Sequence, residues 1–351
     1  MYNDILKNTQ ADAIFVTDPV NMRYISGFSG GEGIVYISEK RRAVITDSRY
    51  TEAATMESSF EVIEESASRR RIGILSELTK ADGAGAVGYE DRSMTCSEFK
   101  KYETGLEHIK SWIPLEDKLD SLRIIKSDEE TACMQKASDI ADSAFEKLFG
   151  LIRPGMTELE GAAELEYQMK LAGAQDVSFP TIFAAGKHSS MPHAVPTGYK
   201  IQKGDFITVD FGCKYNGYCS DTTRTVIVGK PSQRQKEIYG IVLKAHMEAL
   251  AAIKPGVTGE EVDAAARNVI KAAGYGGFFG HATGHAVGLY IHEEPKFAPN
   301  VKTVYSAGMT GTVEPGIYLP AEFGVRIEDM IVVTDNGCRS FTKLPKELIE
   351  L

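Results

Sequence analysis

Apolar and polar positions divide the chain into two stretches with different rhythms. Ala13-Ile14-Phe15-Val16, Gly33-Ile34-Val35-Tyr36-Ile37 and Ala43-Val44-Ile45-Thr46 are short apolar runs of strand length, the last two joined by a charged turn around Glu39-Lys40. Up to about Leu119 the pattern is that of a small α/β domain without a cluster of ligand-type residues. Within it, Asp47-Ser48-Arg49-Tyr50 reads as a capped helix start and Arg69-Arg70-Arg71 as a solvated helix surface.

A longer rhythm begins at Ser127-Asp128-Glu129-Glu130, a Ser-x-x-Glu capping box that satisfies the free N–H groups of a helix start. Met134, Ala137, Ala141, Ala144 and Leu148 then recur on one helical face, and Gly150 stops the helix. Similar boxes pair Thr157 with Glu160, Ser232 with Gln235 and Thr258 with Glu261. The expected domains are 1–122 and 123–351.

The second stretch repeats itself. Ile152-Arg153-Pro154-Gly155-Met156-Thr157 returns as Ile253-Lys254-Pro255-Gly256-Val257-Thr258, an offset of 101 from Thr157 to Thr258. Asp210 is echoed by Glu314 and Asp221 by Glu328, at offsets of 104 and 107. Each copy runs helix, turn, helix, strands, which predicts an α+β fold with the helices outside a shared curved sheet. Two half-sites then face each other across a pseudo-two-fold axis, and four converging carboxylates need cations.

Tyr215-Asn216-Gly217-Tyr218 carries the Asn-Gly signal of a two-residue hairpin. Counting back from it pairs Asp210 with Thr223 and puts Asp210 and Asp221 on one face as diagonal neighbours, roughly 7–8 Å apart at the backbone. That gap suits two metal ions, which in two-metal hydrolytic sites lie roughly 3.5–4 Å apart. In the second copy the longer loop leaves the register open. Glu328 is the expected ligand and Asp329 the alternative.

Composition narrows the chemistry. The 351 residues are 43% hydrophobic and 25% charged, a globular balance at a length that favours two domains. A net charge of −10 argues against nucleic acid or an anionic membrane surface as partner. The first residues lack a signal-peptide pattern, and the five cysteines contain no Cys-x-x-Cys, so a cytoplasmic location is expected.

The histidines divide by context. His281-Ala282-Thr283-Gly284-His285 has the spacing of a zinc helix, but it lacks the adjacent Glu and sits among glycines that oppose a helix. His285 has small neighbours that let its ring reach a metal from a strand. His193 and His292 form a matched pair at an offset of 99 and are expected to flank the site. His108 and His246 read as structural or exposed, and His188 has no assignment.

Taken in order, Val209-Asp210-Phe211-Gly212, Ser220-Asp221-Thr222-Thr223-Arg224-Thr225, Gly284-His285, His292-Glu293-Glu294-Pro295, Glu314-Pro315-Gly316-Ile317-Tyr318 and Arg326-Ile327-Glu328-Asp329 resemble the pita-bread metallopeptidases of family M24. The branch resembled is that of aminopeptidase P and prolidase. Asn21-Met22-Arg23-Tyr24-Ile25-Ser26-Gly27-Phe28 and Asp47-Ser48-Arg49-Tyr50 extend the resemblance to a creatinase-type N-terminal domain. Departures are slight: Met309-Thr310-Gly311 replaces a more apolar strand, and Ala282 and Ala286 stand where glycine is common.

The resemblance implies that Asp210, Asp221, His285, Glu314 and Glu328 hold two divalent ions. It implies that His193 and His292 steady the substrate carbonyl, that Glu314 carries the proton, and that His281 and Arg326 lie against the substrate. Oxygen-rich ligation with one imidazole favours Mn²⁺, with Co²⁺ or Zn²⁺ as substitutes. The expected activity is that of an Xaa-Pro aminopeptidase acting on proline-containing peptides, with Xaa-Pro dipeptidase as the alternative and a homodimer as the assembly implied.

Overall fold

The computed structural model describes residues 2–351, so the reading of the N-terminus falls at Met1 outside the described residues. The chain divides into two compact units, one ending at Arg123 and the other spanning Ile124–Leu351.

The first unit is built on a six-stranded mixed sheet: β1 (Ala13–Val16), β2 (Ile34–Ser38), β3 (Arg42–Asp47), β4 (Glu61–Glu65), β5 (Ala86–Tyr89) and β6 (Ser111–Pro114), in the order β4-β3-β2-β1-β5-β6. Its central strands are apolar on both faces because both are covered: Phe15, Tyr36 and Ile45 enter one core, Ile14, Val35 and Val44 the other. Two expectations are corrected here. Of the three arginines only Arg71 enters the helix Arg71–Asp82, where it is part-buried in an ion pair with Glu65 at 2.5 Å. Asp47 does not cap the helix Thr51–Glu57; its carboxylate is held 2.7 Å from the Arg49 guanidinium instead.

In the second unit all four capping boxes form, at Ser127, Thr157, Ser232 and Thr258. The helix Asp128–Phe149 ends before Gly150 and buries Met134, Ala137, Ala141, Ala144 and Leu148. The repeat is visible in the backbone: helices Glu158–Leu171 and Gly259–Ala272 each have 14 residues. The turns before them use Gly155 and Gly256 at φ +90° and +92°, a region open to glycine without strain. Each helix pair covers its own core, one lined by Phe145, Leu165 and Val209, the other by Val242, Val262 and Ile331.

The shared curved sheet is where the expectation needs revision. The strands divide into separate hydrogen-bonded sheets, chiefly a four-stranded one (Ile349–Glu350, Thr222–Ile227, Phe206–Phe211, Ile182–Ala185) and a three-stranded one (Thr310–Val313, Asp329–Thr334, Gly337–Ser340). Between the halves the ladder is reduced to single bonds: Glu328 N–H donates to the Thr223 carbonyl at 3.1 Å, and the Thr225 hydroxyl to that of Arg326 at 2.9 Å. The register irregularity between His285 and Ala286 interrupts another ladder. No helix among the described residues is long and apolar enough to cross a membrane.

Asp142 illustrates a cost of this packing. It is buried on the helix Asp128–Phe149, where one carboxylate oxygen accepts from Lys343 N–H at 2.7 Å and the other has no hydrogen-bond partner among the described residues. Burial pushes its carboxyl up to about 7 from an ordinary 3.8. A carboxyl raised on folding favours the native state below its unfolded value, and that contribution is lost as pH rises through about 7. Asp142→Asn is therefore expected to raise the melting temperature at pH 8, by up to about 4 kcal/mol of stability, and to do little near pH 4. Thermal melts at the two pH values check this; equal shifts would refute it.

Candidate metal centre

The hairpin forms as the sequence pattern predicts. Asn216 and Gly217 both take positive φ, Tyr215 pairs with Tyr218, and Asp210 pairs with Thr223. Asp210 and Asp221 therefore share a face. In the second copy Val313 pairs with Asp329, so Glu314 and Glu328 lie one residue beyond, where the two strands part. Alternation then sends Asp329 away from Glu328. Asp329 is fully buried 2.8 Å from Arg224 and 2.7 Å from Lys346, with His246 Nε2 at 3.6 Å. Burial alone would raise its carboxyl; the neighbouring His246 imidazole and the charges of Arg224 and Lys346 hold it well below the carboxylate range. That leaves Glu328, not Asp329, facing the site.

Asp221, His285 and Glu328 each offer a ligand atom, and the three lie within 4.8 Å of one another. His285 Nε2 is 3.6 Å from Asp221 and 3.4 Å from Glu314. Its Nδ1 lies 3.1 Å from the Ala286 carbonyl; a proton donated there leaves Nε2 turned toward the acids. Glu314 accepts from the Thr312 hydroxyl at 3.0 Å. Asp210 takes the Arg326 guanidinium on one oxygen at 2.7 Å, while its other oxygen is buried without a hydrogen-bond partner among the described residues.

Arg326, which the resemblance puts against the substrate, lines the pocket while donating to Asp210, Thr223, Tyr318 and the Pro192 carbonyl, and it is 3% exposed. That places it to orient Asp210 at the pocket floor. His281 lies in an irregular segment, as its glycine neighbours predict, with Nε2 2.8 Å from the Tyr318 hydroxyl and Nδ1 4.0 Å from Glu314. His292 sets its ring edge-on to His285, with centroids 4.5 Å apart, and His193 is exposed on a loop. The four acids, Arg326, His193, His281, His285 and His292 line one pocket of about 700 Å³. The remaining histidines are structural: His108 meets the Thr79 hydroxyl, His188 the Glu158 carboxylate, and the fully buried His246 the Val313 carbonyl.

Four carboxylates with one arginine cannot all stay ionised unaided. Burial first, and repulsion from neighbouring acids second, push Asp221 and Glu328 well above the carboxylate range. Burial also lifts Glu314 to about 7 and drops His281 and His285 to about 4, so the imidazoles are neutral and add no positive charge. The oxygen-rich donor set, the neutral Nε2 and the unpartnered Asp210 oxygen fit divalent cations.

Several residues escaped the sequence reading. Thr223 donates to Glu328 at 2.6 Å and accepts from Arg326 at 3.0 Å; its predicted pairing with Asp210 already put it on the site face. Tyr318, which links His281 to Arg326, was visible only as part of a motif. Lys296, opposite His285 on the neighbouring strand, carried no sequence signal.

The model for metallopeptidase family M24 matches residues 132–335, and that for the creatinase/prolidase N-terminal domain matches 2–125. The Xaa-Pro dipeptidase of Pyrococcus furiosus is 40% identical, over 96% of this chain and 95% of its own. Among solved structures, an Xaa-Pro dipeptidase from Bacillus anthracis superposes with a TM-score of 0.96 at 42% identity, covering 100% of this chain and 98% of that one. An X-Pro aminopeptidase from Thermotoga maritima gives 0.94 at 36% identity, covering 99% and 100%.

Proposed function

Because the chain belongs to metallopeptidase family M24 and is a metal-dependent peptidase, we propose that it is an Xaa-Pro dipeptidase working with two divalent ions, Mn²⁺ by preference and Co²⁺ or Zn²⁺ as substitutes. This reverses the order of the two activities expected from the motifs. The observation that carries it is the buried cluster Asp221–His285–Glu328, with Asp210 and Glu314, in a pocket that also holds an exposed cation. That cation is Lys296, whose ion pair with Glu294 at 3.5 Å is solvent-exposed. A dipeptide brings a carboxylate within one residue of the scissile bond, and Lys296 supplies the complementary charge. The dipeptidases named above support the same choice. The aminopeptidase reading keeps the support of the Thermotoga structure.

Asp210, Asp221, His285, Glu314 and Glu328 would hold the ions, which when bound polarise the scissile carbonyl and make a water acidic enough to attack. Glu314 takes the proton from that water and returns it to the departing proline nitrogen, acting as base and then acid. His193 and His292, both exposed in the pocket, hold the carbonyl oxygen as it gains charge. Arg326, held by Tyr318 and Thr223, keeps Asp210 from rotating away. The amide before proline has no N–H, so apolar walls such as Phe179, Ile182 and Ile291 can recognise the ring without an unpaired donor. A cytoplasmic homodimer completes the reading, and a single-chain mass from light scattering would contradict the dimer.

The test is hydrolysis of Ala-Pro and Gly-Pro-Pro beside metal analysis of the purified chain. Expected are about two divalent ions per chain, turnover of Ala-Pro well above that of the tripeptide, loss of activity on chelation and its return with Mn²⁺. Faster turnover of Gly-Pro-Pro would restore the aminopeptidase reading. Full activity after exhaustive chelation would sink both.

A further inference from the structure

Glu158 opens the helix Glu158–Leu171, is fully buried, and has no part in the capping box, which Thr157 and Glu160 complete. One carboxylate oxygen accepts from Ala185 N–H at 2.8 Å, and the other from Thr197 N–H at 2.9 Å and the Thr197 hydroxyl at 2.6 Å. His188 Nδ1 lies 3.0 and 3.2 Å from the two oxygens. These partners stand on both sides of His193, so one carboxylate closes the loop between Ala185 and Thr197 at its base. Hydrogen bonds to a buried carboxylate are the strong kind, and a helix N-terminus favours a negative group.

The repeat shows that the helix start does not itself require this acid. At the offset of 101 Glu158 is matched by Gly259, which opens a helix of the same 14 residues behind the same kind of capping box. A Cβ on Gly259 would strike the Lys296 carbonyl, so the second copy has no room for a carboxylate there. His292, the matched histidine, is instead followed by Glu293, which is buried against Lys126 at 2.9 Å. Within the first copy's loop, the Ser189 hydroxyl accepts from Gly324 N–H at 2.9 Å and the Pro192 carbonyl from Arg326 at 3.2 Å, while His193 is exposed and lines the pocket. Fixed loop ends leave the exposed ring fewer orientations, so its direction is set before substrate arrives.

We propose that Glu158 is a positioning residue for His193: by tying Ala185 and His188 to Thr197 it sets the loop so that the imidazole meets the scissile carbonyl oxygen as charge develops there. The assignment rests on the role given above to His193 but not on the choice between dipeptide and tripeptide, since both present the same carbonyl.

The test is a double-mutant cycle on metal-loaded full chains. It reads kcat, KM and bound metal with Ala-Pro, or with Gly-Pro-Pro should the wild type cleave only the tripeptide. His193→Ala is expected to lower kcat by roughly 10²–10³-fold, the loss of one donor to the developing charge. Glu158→Gln keeps the shape but replaces one acceptor oxygen with an amide nitrogen that cannot accept. It should lower kcat by roughly 10- to 100-fold, with KM within about threefold and metal content unchanged. Added to His193→Ala it should cost less than about twofold more, because the residue it acts through is gone. Thr197→Val should show a smaller loss with the same dependence on His193, and Thr197→Ser, which keeps the hydroxyl, should behave as wild type. Losses from Glu158→Gln and His193→Ala that multiply, or a Glu158→Gln that turns over as wild type, overturn the proposal. Should Glu158→Gln fail to fold, the cycle of Thr197→Val with His193→Ala is read in the same way. A wild type that cleaves neither peptide, or a His193→Ala as active as wild type, removes the premise and this assignment with it, results distinct from losses that multiply.

Discussion

Glu314→Gln is expected to lower kcat for Xaa-Pro hydrolysis by ~10²–10⁴-fold, the usual contribution of a positioned general base and acid. Glutamine keeps the shape, and its amide oxygen can still accept from the Thr312 hydroxyl, so the side chain stays in place. What it loses is the ability to take and return a proton, together with part of the charge that faces His285 at 3.4 Å. Metal affinity falls as well, and the two effects separate by measuring kcat at saturating Mn²⁺ alongside bound metal. Loss that vanishes when metal is raised would make Glu314 a ligand only. A residual defect of the stated size with full metal content supports the proton-carrying role.

The second large effect concerns stability. Arg224, in the strand Thr222–Ile227, is 1% exposed and the largest fully buried side chain. Its guanidinium donates to the carbonyls of Thr223, Glu328, Leu344 and Pro345 and to the Asp329 carboxylate. One side chain thus joins a strand of the first copy to Glu328 and Asp329 of the second. Arg224→Met would leave the carbonyls of three buried residues and of Pro345 without this donor, and Asp329 dependent on Lys346 and His246. The expected loss is about 3–5 kcal/mol, that of breaking a buried pair by removing one partner. Denaturant unfolding of the metal-free protein measures it, and a change under about 1 kcal/mol would contradict it. Arg224→Lys should recover only part, since an ammonium cannot match a planar fork with five contacts. Loosening the Glu328 backbone should also weaken metal retention.

Legibility followed the range of each interaction. The four capping boxes, the Asn216-Gly217 turn and the Asp210–Thr223 pairing were readable because each depends on residues a few positions apart. The ambiguity between Glu328 and Asp329 came from a long loop, which leaves register free; the structure resolves it by giving Asp329 buried cations of its own. The contacts of Arg326 with Tyr318, Thr223 and Asp210 span up to 116 residues and carry no local mark in the sequence. Arg71 and Asp47 depart from that rule, since their partners Glu65 and Arg49 lie only six and two residues away.

By itself the sequence determined that a duplicated helix-helix-strand unit carries acids in matching places, since periodicity, caps and tight turns act locally and survive in the order of residues. Only the tertiary structure decided which acids converge and which cation serves Asp210. Desolvation and charge pairing depend on distances between residues far apart in the chain, and those distances exist only once the two halves have met.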